Sequence, residues 1–355
     1  MSRTGINGAK DGKATIQRSV LELPAGARPE ERFQSWQSQI APFFDVGSGD
    51  RIDLAAFDAR FDLSLIGDMI FGSCQTVAQR FQRSALKVAH EPHDMFMLQM
   101  FRTGETRAQI GAREVIARPG DIWVIDLAEP IDAVNSDFHN LSIIVPRSLI
   151  EGNLRSPDAH HLRRIPADTP MARIFGNFLA GLMGSVGSMT LADAAELAPA
   201  TARLSEALLN VGTGHSRPEM DASAADQVLC LAARRLIESH LTDPDMDPDK
   251  VASMLGVSRS KLYRVFAPMG GIAAHIRNRR LKRSSADLLD RNRADRPIYE
   301  IAFKWAFTSE SDYSRAFRRQ FGLSPREARG AYHAGLAAPG IDSPDHADWL
   351  RHIGA

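Results

Sequence analysis

Two stretches about fifty residues apart repeat one pattern of residue types that could read a nucleic acid. The first runs from Val251 and Ala252 through Leu255, Gly256, Val257 and Ser258 to Leu262, Phe266 and Gly271. The second runs from Ile301 and Ala302 through Trp305, Ala306 and Phe307 to Ser309, Tyr313, Phe317 and Gly322, with a turn one residue longer. Ser258 and Ser309 can each cap the first free amides of a helix. The small residues Ala252 and Ala302 let one helix cross closely over the next after a sharp bend. Helical spacing turns Leu262, Val265 and Phe266 inward and leaves Arg259, Ser260, Tyr263 and Arg264 outside. In the second copy Tyr313, Phe317 and Phe321 turn inward, and Ser311, Ser314, Arg315 and Arg318 share the outer stripe. Guanidinium groups can bond a guanine edge, and hydroxyls can bond bases or phosphates, so both outer stripes suit a major groove. An ordinary helical bundle with exposed arginines is the competing reading. It is weakened because the match is duplicated at matched spacing.

The charge distribution points the same way. The 355 residues are formally neutral, with 43 basic and 43 acidic side chains. From Lys250 to Arg329, however, 18 Lys and Arg face 7 Asp and Glu, a balance of +11 that leaves −11 on the remainder. Such asymmetry marks a polyanion-binding module joined to a part with another task.

Other chemistry is sparse. His90, Glu91 and His93 form one compact group of metal-ligand types, but a site would need a further ligand from another strand, and a solvent-exposed loop is the simpler reading. His160 and His161 fall beyond the strand-rich segment. Cys74 and Cys230 have no ligand or disulfide-framework spacing. No GxxxxGK[ST], GxGxxG or GxSxG pattern occurs. No cofactor is called for, and a metal-dependent enzyme fused to a DNA-binding domain remains a rival reading. An architectural DNA-binding protein without a sensor is another, opposed by the size of the N-terminal half. The stretch 174–186 contains Asn177 and is too short to span a bilayer, and no signal-peptide core precedes residue 20, so a cytoplasmic protein without a membrane partner is expected.

The elements that must carry these residues divide the chain. Residues 1–29 are polar and read as a mobile tail. Short strand-like runs follow at 61–66, 95–101, 122–125 and 141–145, separated by turn signals such as Pro119-Gly120-Asp121, which predicts an antiparallel sandwich or barrel. Helices are expected over 171–183, with a stripe of Ile174, Phe178 and Leu182, and over 191–211, where they could serve dimerisation. Residues 215–222 read as a linker between a domain at 30–214 and one at 223–333, with a tail at 334–355.

Residues from about 225 to 329 resemble the DNA-binding domain of the AraC/XylS family of bacterial transcription regulators. The run Ser314-Arg315-Ala316-Phe317-Arg318-Arg319-Gln320-Phe321-Gly322-Leu323-Ser324-Pro325 carries the resemblance most specifically. It implies seven helices, a long one over about 272–289 that holds two recognition helices in successive major grooves of double-stranded promoter DNA, and RNA polymerase as a further partner. By matching positions it implies Ser260, Tyr263 and Arg264, and then Glu310, Ser311, Asp312 and Arg315, as base-facing residues. Ala306 departs from the family, which usually has glycine there; a positive φ would strain alanine. Residues 30–185 resemble, more faintly, the cupin-like sensor half of such regulators, with Phe33-Gln34-Ser35-Trp36 and Arg118-Pro119-Gly120-Asp121 as its marks. That implies a β-barrel that binds a small-molecule effector or mediates homodimerisation. The expected fold class is therefore α+β in two domains: an antiparallel cupin-like β-barrel with following helices, then an all-α domain with two helix-turn-helix units.

Overall fold

The structure, a computed structural model, describes residues 14–23, 26–47, 54–84, 87–88, 93–110, 113–154, 159–211, 224–267, 270–289 and 295–336. The N-terminal half is built on two antiparallel sheets. The larger has the order β1 (Arg18–Glu22), β3 (Ala59–Ile66), β4 (Met69–Thr76), β11 (Phe138–Pro146), β6 (Met95–Thr103), β9 (Ile122–Asp126), β12 (Arg163–Ile165). The smaller has the order β2 (Asp45–Gly47), β5 (Gln79–Arg83), β10 (Ile131–Asn135), β7 (Thr106–Ile110), β8 (Arg113–Ala117). Phe61, Leu63 and Met97 of the first sheet and Phe81, Ala108 and Ile131 of the second belong to one buried cluster, so the sheets pack face to face. The four expected strands at 61–66, 95–101, 122–125 and 141–145 lie within β3, β6, β9 and β11.

The central strands are covered on both sides, which explains their nearly continuous apolar runs. On β11, Leu141, Ile143 and Val145 pack with helices α3 (Pro170–Ser185) and α4 (Leu191–Asn210), while Asn140, Ser142 and Ile144 line the space between the sheets. Helix α3 starts at Thr169, whose side chain accepts the amide of Ala172, followed by Pro170. Its buried side is Ala172, Phe175, Leu179 and Leu182, and Ile174 is 54% exposed. The expected stripe through Ile174 and Phe178 is therefore displaced by one position. Apolar counting gave no weight to Ala172 and Gly176, the small residues that allow close approach to the sheet. A Cβ on Gly176 would come within 2.6 Å of the Met100 sulfur.

The expected mobile tail is also corrected. Within residues 14–22, Thr15 bridges Thr190, β1 pairs with β3, and Ile16 and Leu21 are buried. Arg18 reinforces that edge by a bidentate pair with Asp62. Helix α1 (Pro29–Ile40) then buries Phe33 and Trp36, the latter donating to Gln79 at 2.8 Å. The proposed linker at 215–222 lies outside the described residues, as do residues 337–355 of the proposed C-terminal tail.

The described part of the C-terminal half is seven helices: α5 (Ala224–Ser239), α6 (Pro248–Met254), α7 (Arg259–Phe266), α8 (Ile272–Leu289), α9 (Ile298–Lys304), α10 (Glu310–Phe321) and α11 (Pro325–Leu336). A four-residue helical turn, α2 (Arg147–Ile150), follows β11. Among the described residues no helix is long and apolar enough to cross a membrane.

Candidate nucleic-acid interface

Helices α6 and α7 form one helix-turn-helix unit, and α9 and α10 form another with the same internal hydrogen bonds. The Val257 amide donates to the Ala252 carbonyl at 3.0 Å, and Phe307 to Ala302 at 2.9 Å. Leu255 donates to Val251 and Trp305 to Ile301, both at 3.1 Å. Gly256 and Ala306 thus occupy equivalent turn positions, with φ of 64° and 58°. The backbone does require the left-handed region there, and Ala306 is strained where Gly256 is not. Ser258 and Ser309 each cap the next helix, accepting the amides of Lys261 and Asp312.

Each unit has its own core, and α8 runs through both. Val251, Ala252, Leu262 and Phe266 pack with Ile272 and Ile276 of α8. Ile301, Ala302, Tyr313, Phe317 and Phe321 pack with Leu281 and Leu288. Arg280 ties α8 down further: its guanidinium donates to the carbonyls of Leu241 at 2.9 Å, Asp243 at 2.8 Å and Met246 at 3.2 Å, and reaches that of Ala306 at 3.5 Å.

The residues expected to face DNA lie on α7 and α10, most of them on the open sides. Arg259, Ser260, Tyr263 and Arg264 are exposed, as are Glu310, Ser311, Arg315 and Arg318; Asp312 and Ser314 are half-buried. Several are engaged by partners that spacing could not reveal. Arg264 donates to Asp226 of α5 at 3.0 Å, and Lys261 stands 3.8 Å from the same carboxylate. Arg259 pairs with Asp249, Arg318 lies 3.5 Å from Glu327, and Asp312 accepts from Arg277 at 2.6 Å. Asp312 therefore braces α10 against α8. Arg315 is exposed and has no ion-pair partner among the described residues.

Part of the basic excess is turned away from this face. Arg279 of α8, only 3% exposed, pairs with Glu238 of α5 and lies 3.5 Å from Asp94 and 4.0 Å from Glu151 of the N-terminal half. Fully buried Arg147 donates to Asp94 at 2.6 Å, pairs with Asp126, and stacks over Phe96 at 4.3 Å. Lys282 donates to Glu129 at 2.8 Å, and Val88 joins the core of the second unit. This cluster clamps α8 to the sheet domain. Burial pushes the Asp94 carboxyl up, but the attraction of Arg147, Arg279, Lys282 and Arg283 outweighs it and holds Asp94 far below the usual carboxylate range. Asp126 and Glu238 are lowered by the same balance of burial against neighbouring guanidinium groups. Glu151, less well compensated, is raised by burial.

His93, His160 and His161 are engaged within the sheet domain. His93, expected on a solvent-exposed loop, is buried and donates from Nε2 to the Pro42 carbonyl at 3.2 Å. His90 and Glu91 lie outside the described residues. His160 and His161, expected beyond the strand domain, pack onto it: His160 meets Phe96 edge-on, and His161 Nδ1 accepts the Asp126 amide at 3.3 Å. No three His, Cys, Asp or Glu side chains gather for a metal among the described residues.

Comparison with known proteins agrees with this architecture. Residues 49–210 match the AraC-binding-like domain and residues 251–331 a helix-turn-helix domain. The regulatory protein SoxS of Escherichia coli K12 is 34% identical over 95 residues, which cover 26% of this chain and 85% of SoxS. The chain belongs to the AraC family of transcription regulators. The transcriptional activator NphR of Rhodococcus is 23% identical to this regulator over 276 residues, 76% of the chain and 80% of NphR. The AraC-like transcriptional activator CuxR shares the fold, with a TM-score of 0.53, 22% identity and coverage of 76% and 96%. The regulator is thus a DNA-binding protein with a sensor-like N-terminal domain.

Proposed function

We propose that this regulator reads promoter DNA with α7 and α10 in successive major grooves, under the control of a small molecule held between the two sheets. The observation that carries the DNA half is the pair of equivalent units fixed on one rigid helix. The 18 residues of α8 extend about 27 Å, close to the roughly 34 Å that separates successive major-groove faces. Arg264 and Arg315, each six residues after its capping serine, are the principal base readers, supported by Arg259, Ser260, Tyr263, Glu310, Ser311, Ser314 and Arg318. The effector half rests on the clamp, which gives the sheet domain a physical hold on α8. Exposed apolar side chains at Ile174 of α3 and Leu191 of α4 support homodimerisation through these helices. Cytoplasmic action with RNA polymerase as a further partner, and no catalytic activity of its own, complete the reading.

Selection of bound sequences from a random pool tests the assignment. Arg264→Ala and Arg315→Ala should each cost about 1 to 3 kcal/mol on the selected site and relax preference at different base pairs, roughly 10 apart. Uniform weakening with an unchanged motif would show that these arginines contact phosphate alone.

A further inference from the structure

The space between the sheets is lined by phenylalanine, tryptophan and branched aliphatic side chains, with a small polar group set into one region. Thr106 and Asn135 are cross-strand partners on β7 and β10, and Asn140, Ser142 and Gln99 lie on β11 and β6 of the facing sheet. The side-chain oxygens of Asn135 and Asn140 are buried without a hydrogen-bond partner, in residues 8% and 2% exposed. Two unsatisfied acceptors in one cavity are unusual, because each forgoes the hydration it would have in water. No Lys, Arg, His, Asp or Glu lines the cavity among the described residues. Arg83, buried on the strand that carries Phe81, directs Nε to the Leu127 carbonyl at 2.7 Å and a terminal nitrogen to that of Phe43 at 3.0 Å. Cys74, also in the lining, has its thiol pushed up by burial and offers no thiolate.

From this lining we infer that the effector is a small uncharged molecule, mostly apolar, with a hydroxyl or N–H that donates to Asn135 or Asn140. The inference rests on the effector reading above and specifies its chemistry. A carboxylate or ammonium group would be desolvated there with no opposite charge to meet it, which is strongly unfavourable. A wholly apolar molecule would leave both amide oxygens unpaired. The free volume of about 50 Å³ is well below the roughly 150 Å³ of an apolar cavity that admits benzene, so the occupant is small and binds by displacing flexible side chains such as Met97.

The test titrates the full chain with three probes of similar size, phenol, toluene and benzoate, and follows tryptophan fluorescence and calorimetric heat. Phenol should bind about tenfold more tightly than toluene, the worth of a hydrogen bond to an otherwise unpaired acceptor. Benzoate should not bind at a hundred times the phenol concentration needed for half-saturation. Ser142→Leu, which fills the cavity, should abolish phenol binding. Asn140→Leu should erase most of the preference for phenol over toluene, and if that variant does not fold, the discrimination among probes by the unmodified chain still decides. Benzoate binding that Ser142→Leu abolishes would overturn the neutral class, and so would equal affinity for phenol and toluene, or no binding by any probe. DNA affinity measured with each bound probe separates the two readings: phenol binding that leaves DNA affinity unchanged supports the cavity chemistry but removes effector control.

Discussion

Asp94 stands between two buried guanidinium groups, 2.6 Å from Arg147 Nε and 3.5 Å from Arg279, so Asp94→Asn removes the charge that joins the sheet domain to α8 while keeping its shape. At an effective dielectric of about 20, the attraction across 3.5 Å is about 5 kcal/mol. Desolvation offsets much of it, and Arg279 keeps Glu238 beside it, which leaves a net loss of about 2 kcal/mol. Arg279→Gln takes a cation away from Asp94, Glu238 and Glu151, of which Asp94 keeps Arg147 and Glu238 keeps Arg283, and should cost about 3 kcal/mol. The double variant should then be less damaged than the sum by about 1 to 2 kcal/mol, as expected for residues in direct contact. Urea unfolding of the full chain at pH 7 measures all four proteins. The acid dependence follows from the depressed carboxyls. Asp94, Asp126 and Glu238 contribute stability that is fully present above the ordinary carboxylate range and is lost progressively as pH falls from that range through their depressed folded-state values, so the penalty of Asp94→Asn should begin to shrink towards pH 3. Glu151, raised, acts with the opposite sign and partly blunts the change. Additivity of the two substitutions within about 0.3 kcal/mol would refute the clamp.

Two further outcomes can be measured independently. Ala306→Gly should stabilise the protein by about 0.5 to 1 kcal/mol in urea unfolding, since relief of the left-handed strain exceeds the added freedom of glycine in the unfolded chain; a destabilised variant would remove strain as the explanation. Asp226→Asn should raise DNA affinity about threefold in low salt, because it takes a carboxylate away from Arg264 and Lys261, and a weaker complex would show that Asp226 instead holds Arg264 in its reading position.

How far the fold could be read from the sequence depended on whether the determining contacts were local. The extent of α8, about 272 to 289, was legible only through the resemblance to the family, and the described helix spans Ile272–Leu289. The inward stripes of α7 and α10 were read from local signals, since Leu262, Phe266, Tyr313 and Phe317 repeat at helical intervals and are all buried. The strand at 18–22 was missed because five residues in a polar context carry no signal without β3 beside them. The partners of Arg264, Arg279 and Arg147 lie between 21 and 185 positions away, and no spacing rule reaches them. Nothing in the sequence distinguishes Asp226 and Asp94 from other acids; the fold places them against arginines.

The same limit explains why the +11 balance overstated the DNA-facing charge. Arg279, Arg280 and Lys282 are consecutive in the basic segment apart from Leu281, yet they hold α8 to Glu238, to four backbone carbonyls and to Glu129. In the structure these side chains are engaged by partners within the chain rather than turned to the DNA-facing side. Strands β6 and β9 complete the route. Met97, Trp123 and Ile125 line the cavity, while Asp94 directly precedes β6 and Asp126 ends β9, both held by Arg147. A molecule that displaces Ile125 or Met97 acts on strands whose ends carry the clamp, one residue from Asp126 and three from Asp94. Only a ligand with different affinities for two positions of those strands can shift α8. Cavity, strand ends, clamp and α8 are contiguous through residues that are already paired, which is the route the proposed effector control requires.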